Sequence, residues 1–171
     1  MRKKELLWGS LGEAGLILVV ATIAWLVKQP LIFASLGPTA YELIEQPQLR
    51  SARTYNVIVG HLLGVACGFL ALYLVHAWRE PNVLSTGIVS PGRLWAVTIA
   101  SALTVFCTLI ARAAQPAALA TTLLIALGAM QTRRDAIAIA VGVIIVTALG
   151  QPLRHLRLRS HMPVGQQALG S

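Results

Sequence analysis

The sequence predicts an all-α integral membrane protein with four full transmembrane helices and two short broken or re-entrant helices, arranged as two similar halves. Of its 171 residues, 56% are hydrophobic and 12% are charged, which is about half the charged share of a soluble domain. Long apolar runs alternate with apolar runs that are too short to cross a bilayer comfortably. A proline begins or interrupts each short run, where a helix loses a hydrogen bond.

The first half of the chain contains three apolar runs in order. Residues 1–13 form a basic, interfacial N-terminus, and the run 11–27 is near the lower length limit for a membrane span. The run 31–44 is shorter and a Gly-Pro step interrupts it, so we expect a broken or re-entrant helix there. Residues 55–77 form the best spanning helix, about 34 Å long at 1.5 Å per residue.

The second half repeats this order after a loop rich in Pro, Gly and Ser at 79–93. A span is predicted over 94–114, a short element after a proline over 117–130, and a last span over 136–149 with its flanks. Residues 154–171 form a basic tail that we expect to be disordered.

The transmembrane domain is therefore predicted over 14–153, with one repeat at about 11–78 and the other at about 94–152. Internal repeats that pair broken helices at a central site recur among transporters. If both short elements are re-entrant, eight of the 14 Lys and Arg residues lie inside and six outside; if both cross, nine lie inside and five outside. Both arrangements place the two termini in the cytoplasm, and the positive-inside rule does not decide between them.

The net charge of +8 comes mostly from residues at the ends and in short loops, which indicates membrane topology and argues against a nucleic-acid partner. Cys67 and Cys107 lie in apolar helices and are expected to be small fillers. We expect no enzyme activity, no metal site and no cofactor, because the catalytic and metal-binding motifs are absent. The small size predicts a homo-oligomer. We expect it to lie in a lipid bilayer, the inner membrane of a bacterium.

The two helix breaks predict an anion site. Half-helices that start after Gly37-Pro38 and after Pro116 would leave unpaired N–H groups at their N-termini, where the helix dipole also favours an anion. Thr39 and Thr121 are placed to add hydroxyl donors. Two such ends that meet near the midplane would bind an anion without a formal charge. The alternative is a pair of tight turns whose backbone groups neighbouring side chains satisfy.

Polar residues on the third span follow one face of the helix. Thr98, Ser101, Thr104, Thr108 and Arg112 fall within about 120° at 100° per residue. This pattern is typical of the wall of a hydrated pathway. The alternative is that the hydroxyls bond to carbonyl oxygens of their own helix.

The second span carries a glycine ridge and a lone histidine. Gly60, Gly64 and Gly68 recur at every fourth position, which allows another backbone to approach closely. His61 lies within the first turns, after Asn56, and could line a polar site or make a structural hydrogen bond. At this point the backbone ends of the two short helices are the stronger candidates for the site.

Three stretches resemble the HPP family of small membrane proteins: Ala-Ser-Leu-Gly-Pro-Thr-Ala at 34–40, Asn-Val-Ile-Val-Gly-His-Leu at 56–62, and Gln-Pro-Ala-Ala-Leu-Ala-Thr at 115–121. The family pattern has a helix break, an Asn-Val-Ile-x-Gly-His helix start and a His-Pro-Pro-Ala-Gly-Ala-Thr signature. The sequence departs from it at four positions, namely Tyr55 for an arginine, Gln115 for the histidine, Ala117 for the second proline and Leu119 for the glycine. The resemblance implies a four-span membrane protein, and some members are implicated in nitrite transport.

The sequence therefore predicts a membrane transporter or channel for a small inorganic anion such as nitrite. The alternatives are a non-transporting membrane scaffold or subunit that uses the glycine ridge to bind another protein, and a channel for a neutral small solute. The expected substrate-binding or pathway residues are Gly37, Pro38, Thr39, Asn56, His61, Thr104, Thr108, Gln115, Pro116 and Thr121.

Overall fold

The computed structural model describes residues 3–161 and contains only helices, turns and loops over that range. The described part has seven α-helices and one short 3₁₀ turn, Ala77–Arg79. Four helices are long and apolar enough to cross a membrane, while two in the core are short, which confirms the predicted all-α class with four long and two short helices. The α-helices are α1 Lys3–Val27, α2 Leu36–Glu45, α3 Thr54–Leu74, α4 Val83–Thr86, α5 Pro91–Ile110, α6 Pro116–Ala126 and α7 Arg133–His161.

The first short helix begins earlier than the sequence predicts. It starts at Leu36, so Gly37 and Pro38 lie in its first turn and do not precede it. A proline is tolerated there because the first N–H groups of a helix have no acceptor within the helix. The interruption lies instead in the segment 28–35, between the end of α1 and the start of α2.

The last helix extends beyond its predicted end. Residues 154–161 continue α7 past Pro152, so this part of the expected disordered tail is helical. The Arg154 side chain explains the extension, because its Nε donates to the Pro47 carbonyl oxygen at 2.7 Å. Residues 162–171 of the predicted tail, and residues 1–2 of the N-terminus, lie outside the described residues; the rest of the N-terminus belongs to α1.

The segment that contains α2 runs along the whole of α7. At one end Gln29 Oε1 accepts from Arg134 Nε at 3.1 Å, and at the other the Ala52 oxygen accepts from Gln151 Nε2 at 2.9 Å. Arg134 and Gln151 are 17 residues apart, or about 26 Å along a helix. The segment therefore connects opposite ends of the bundle.

The segment that contains α6 runs along α5 in the same manner. Tyr55 donates to the Ala111 oxygen just after α5 ends, at 3.0 Å, whereas Arg93 near the start of α5 donates to the Ala126 oxygen at 3.0 Å. Residues 93 and 111 are 18 apart, or about 27 Å. These contacts favour two broken segments that cross the bundle over two that re-enter it.

We call the end of the bundle that holds residues 46–53 and 111–115 the terminal end, because α1 begins and α7 ends there. The opposite end, which holds residues 75–90, is the loop end. A Cβ atom on Gly12 near the start of α1 would lie 3.3 Å from Ile44 at the end of α2. Helices α1, α3 and α6 therefore run from the terminal end to the loop end, and α2, α5 and α7 run the opposite way.

Helix α3 is the centre of the bundle and packs against α5, α6 and α7. Its glycine ridge receives α6: a Cβ atom on Gly64 would lie 2.7 Å from the Ala118 oxygen, and one on Gly68 would lie 3.0 Å from the Ile125 Cβ. The ridge is thus occupied within the chain. The scaffold alternative had assigned this surface to another protein.

Candidate functional site

The central feature of the core is the His61 imidazole, which is 1% exposed. Its Nε2 lies 2.9 Å from the Thr39 hydroxyl oxygen and its Nδ1 lies 2.7 Å from the Thr121 hydroxyl oxygen. Thr39 belongs to α2 and Thr121 to α6. One histidine of α3 therefore joins the two short helices.

A serine closes these contacts into a ring. The Ser35 hydroxyl oxygen lies 2.6 Å from that of Thr121, and Thr39 donates its hydroxyl hydrogen to the Ser35 carbonyl oxygen at 2.9 Å. Each of these side chains is 0–1% exposed. We call Ser35, Thr39, His61 and Thr121 the hydroxyl–imidazole ring.

The hydrogen-bond network assigns the protons of the ring. Because Thr39 donates to a carbonyl oxygen, its own oxygen accepts from Nε2–H of His61. Nδ1 of His61 then accepts from Thr121, whose oxygen accepts in turn from Ser35. A neutral imidazole satisfies every polar side-chain atom of the ring, and each donor is already paired in this conformation.

Close helix contacts at glycines and an N-cap serine without a capping bond bring the ring together. Gly60 directly precedes His61 and Gly64 follows it three residues later on the same side of α3, and a Cβ on Gly60 would lie 2.7 Å from the Gln115 Cβ. This close approach lets the short Thr121 side chain reach the imidazole. Ser35 is the N-cap of α2, but its hydroxyl makes no capping bond and is directed to Thr121 instead.

A second buried hydroxyl layer lies beside the ring on α6. The oxygen of Thr122 is 2.9 Å from the oxygen of Thr104, and it also lies within hydrogen-bond distance of the Gly64 and Ala118 carbonyl oxygens. Thr108 donates to the Thr104 carbonyl oxygen at 2.7 Å. Thr104 and Thr108 are therefore in the core, as expected of site residues, but Thr122 connects them to α3.

The predicted polar stripe of α5 does not form one continuous wall. Thr98 is exposed and donates to the Leu94 carbonyl oxygen of its own helix. Arg112 lies beyond the end of α5, is exposed, and has a left-handed backbone with φ of 51°. Only Thr104 and Thr108 of the stripe are buried, and the alternative of bonds to the helix's own carbonyls describes Thr98 and Thr108.

The start of α6 is capped by its own chain. Gln115 Oε1 accepts from the Ala117 backbone N–H at 3.2 Å, and its Nε2 donates to the Ser51 oxygen at 3.3 Å. Pro116 is the first residue of the helix and has no N–H. A side chain thus occupies the position that the sequence assigned to an anion.

Gly37 and Pro38 lie on the outward side of the first turn of α2. Pro38 is exposed and Gly37 is half-buried, and a Cβ atom on Gly37 would touch no other part of the chain. Asn56 is buried, and its Nδ2 donates to the Arg112 and Ala114 carbonyl oxygens. It therefore joins the start of α3 to the segment that follows α5. The structure therefore brings Thr39, His61 and Thr121 together and places the other lining candidates around them.

Ser35 is the site residue that the sequence reasoning missed. It lies four residues before Thr39, and residues at this spacing share one face of a helix. The signal that could have found it was the spacing of the Ser35 and Thr39 hydroxyls within the short element predicted after Pro30. The histidine, which the sequence ranked below the backbone ends, holds the centre.

Within the described residues no group of three or more His, Cys, Asp or Glu side chains could hold a metal ion. Searches among curated proteins and among solved structures found no significant match. A family model described as the HPP transmembrane region matches residues 1–163. That match confirms the resemblance drawn from the three motifs, and the chain belongs to the HPP family.

Proposed function

We propose that this integral membrane protein passes a small inorganic anion such as nitrite across the bilayer, with the hydroxyl–imidazole ring as its central site. The observation that carries the proposal is the burial of His61 between the two short helices. Polar and ionisable groups in the membrane interior are expensive to place and mark solute pathways. Broken helices that meet near the middle of a bundle are a recurring design of transporter sites.

The chemistry of the ring favours an anion over a cation. Ser35, Thr39, Thr121 and His61 supply three O–H groups and one or two N–H groups, and the ring contains no carboxylate. When the ring opens, these groups become donors for the oxygens of a small anion. An imidazole can also take up a proton, which would balance the charge of the anion in a medium of low dielectric constant.

The structure represents a closed state of this proposed pathway. All donors of the ring are paired with one another, and its side chains are 0–1% exposed. A solute must therefore separate α2 from α6 at the ring before it can bind there. The solute offsets the free-energy cost of that separation by accepting the hydrogen bonds that the ring members give up.

Nitrite flux into liposomes that contain the purified protein tests the proposal, with insertion checked by protease protection. The variants are His61→Asn and, as a matched control, His76→Asn; His76 is exposed beyond the end of α3. We expect His61→Asn to lower the flux at least about tenfold, because hydrogen bonds to two helices are lost, and His76→Asn to leave it unchanged.

Two results would overturn the proposal. Correctly inserted wild-type protein that passes neither nitrite nor another small anion would contradict anion transport, and flux of a neutral amide in its place would support the neutral-solute alternative. Equal anion flux in the two asparagine variants would refute the ring as the site.

A further inference from the structure

The close contacts of the glycines repeat at a fixed interval along the chain. A Cβ atom on Gly60 would lie 3.0 Å from the Ala113 oxygen, and one on Gly142 would lie 2.6 Å from the Leu31 oxygen. Gly60 and Gly142 are 82 residues apart, and so are Leu31 and Ala113. The two contacts are thus the same contact with the halves exchanged.

A second pair of contacts has the same interval. A Cβ atom on Gly68 would lie 3.0 Å from the Ile125 Cβ, and one on Gly150 would lie 2.6 Å from a Leu43 methyl group. Gly68 and Gly150 differ by 82, as do Leu43 and Ile125. Two independent contacts eight residues apart on each long helix therefore agree on one register.

The same interval relates the helices and their packing. It carries α1 onto α5, α2 onto α6 and α3 onto α7. The packing of α6 on α3 corresponds to that of α2 on α7, and the packing of α5 on α3 corresponds to that of α1 on α7. Each related pair runs in opposite directions between the terminal end and the loop end.

We infer that the chain consists of two inverted repeats, related by a shift of 82 residues, whose two-fold axis passes through the hydroxyl–imidazole ring. Thr39 and Thr121 are 82 residues apart and bond to the two nitrogens of one imidazole. They are therefore equivalent side chains on opposite sides of the axis. This register replaces the pairing of Pro38 with Pro116 that the sequence suggested, because the shift carries Pro38 onto Ala120.

The inference deepens the proposed function, on which its mechanistic part rests. A site on a two-fold axis contains one equivalent threonine hydroxyl from each half. Both halves can therefore hydrogen-bond the solute in the same way. The exception is the imidazole: the position equivalent to His61 is Val143, which is 2% exposed. A single histidine thus serves both hydroxyls.

The two halves differ at equivalent places. At the terminal end, the start of α3 is fastened by Tyr55 to the Ala111 oxygen and by Asn56 to the Ala114 oxygen. The equivalents of Tyr55 and Asn56 are Ile137 and Ala138, which carry no polar group. There, at the loop end, α1 and α7 leave a groove of about 540 Å³ that is lined mostly by apolar side chains. The polar residues in its lining are Gln29 and Arg134, whose side chains bond to each other. This is the difference expected of inverted repeats that exchange conformations to open first one end and then the other.

The basic residues agree with this topology. With both short segments crossing, the terminal end holds eight of the Lys and Arg residues that the structure describes and the loop end holds five. The excess places the terminal end in the cytoplasm.

Labelling with a membrane-impermeant maleimide tests the inverted repeats without any transport assay. In a background with Cys67→Ala and Cys107→Ala, single cysteines replace Gln48 and Ser85, which are both exposed, and a third follows Ser171 as the reference. Inverted repeats predict that the cysteine at 48 labels from the same side of the membrane as the reference, and the one at 85 from the opposite side. The reverse result, which re-entrant short helices require, would overturn the inference.

Nitrite flux tests the mechanistic part separately. Thr39→Val and Thr121→Val should each lower the flux by about tenfold, because each variant loses one hydrogen bond to the solute, and tenfold corresponds to about 1.4 kcal/mol. Similar losses support a shared axis. Labelling that fits inverted repeats, with loss in only one of the two variants, would remove the axis from the site while leaving the repeats. If the labelling fits inverted repeats but the wild-type protein passes no nitrite, only the proposed function is refuted.

Discussion

Replacing Thr121 by valine tests whether the ring contributes to stability. The substitution exchanges a hydroxyl for a methyl group of similar volume, so it creates no cavity. It removes the hydroxyl whose oxygen accepts from Ser35 and whose hydrogen is donated to Nδ1 of His61. Both partners are buried and would have no other group to bond in the closed conformation.

The magnitude follows from the number of bonds between helices. A hydrogen bond between membrane helices contributes about 0.6 kcal/mol on average and up to about 1.7 kcal/mol. Two lost bonds therefore lower the free energy of unfolding by about 1–3 kcal/mol. Thr147→Val is the matched control: Thr147 is 2% exposed, but its hydroxyl donates only to the Val143 oxygen of its own helix. We expect that variant to lose no more than about 0.5 kcal/mol.

Reversible unfolding in mixed detergent micelles, with an increasing fraction of dodecyl sulfate, provides the assay. Thr121→Val should unfold at a lower fraction of dodecyl sulfate than Thr147→Val. Combining it with Ser35→Ala should add less than the sum of the two single effects, because both remove the same bond. Equal stability of the two valine variants would refute the ring as a stabilising network.

Three further predictions follow from other contacts. Gly64→Ala should lower the free energy of unfolding by about 1–2 kcal/mol because its Cβ would lie 2.7 Å from an α6 carbonyl oxygen; Gly15→Ala, whose Cβ would touch nothing, should be neutral or stabilising in the same micelle assay. Arg93→Met should lower the free energy of unfolding by about 3 kcal/mol in the micelle assay, because Arg93 is fully buried and donates to four oxygens at the loop end; wild-type stability would contradict its role in joining these loops. Asn56→Ala, which copies the equivalent position in the other half, removes the hydrogen bonds to the Arg112 and Ala114 oxygens. It should raise maleimide labelling of a cysteine at the buried Ala113 by about threefold or more; unchanged labelling would contradict the role of Asn56 in holding the terminal end closed.

The sequence by itself determined the membrane fold and most of its elements. Four long helices and two short ones follow from hydropathy and run length, because a bilayer requires apolar side chains and internally satisfied backbone over a fixed thickness. The family followed from three short motifs. Predicted ends were less accurate where a distant contact decides them: α7 continues past Pro152 because Arg154 bonds to the Pro47 oxygen, 107 residues away.

Only the tertiary structure decided which polar groups meet. The bonds of the ring join residues 22, 60 and 86 positions apart, and they depend on how three helices are rotated about their axes and how closely glycines let them approach. The same sequence pattern allowed Gln115 to line a pathway, but a local donor, the Ala117 backbone N–H, was available and Gln115 caps α6 instead. Helix periodicity specifies which residues share a face, whereas the partner of that face is set by packing against residues far away in the chain.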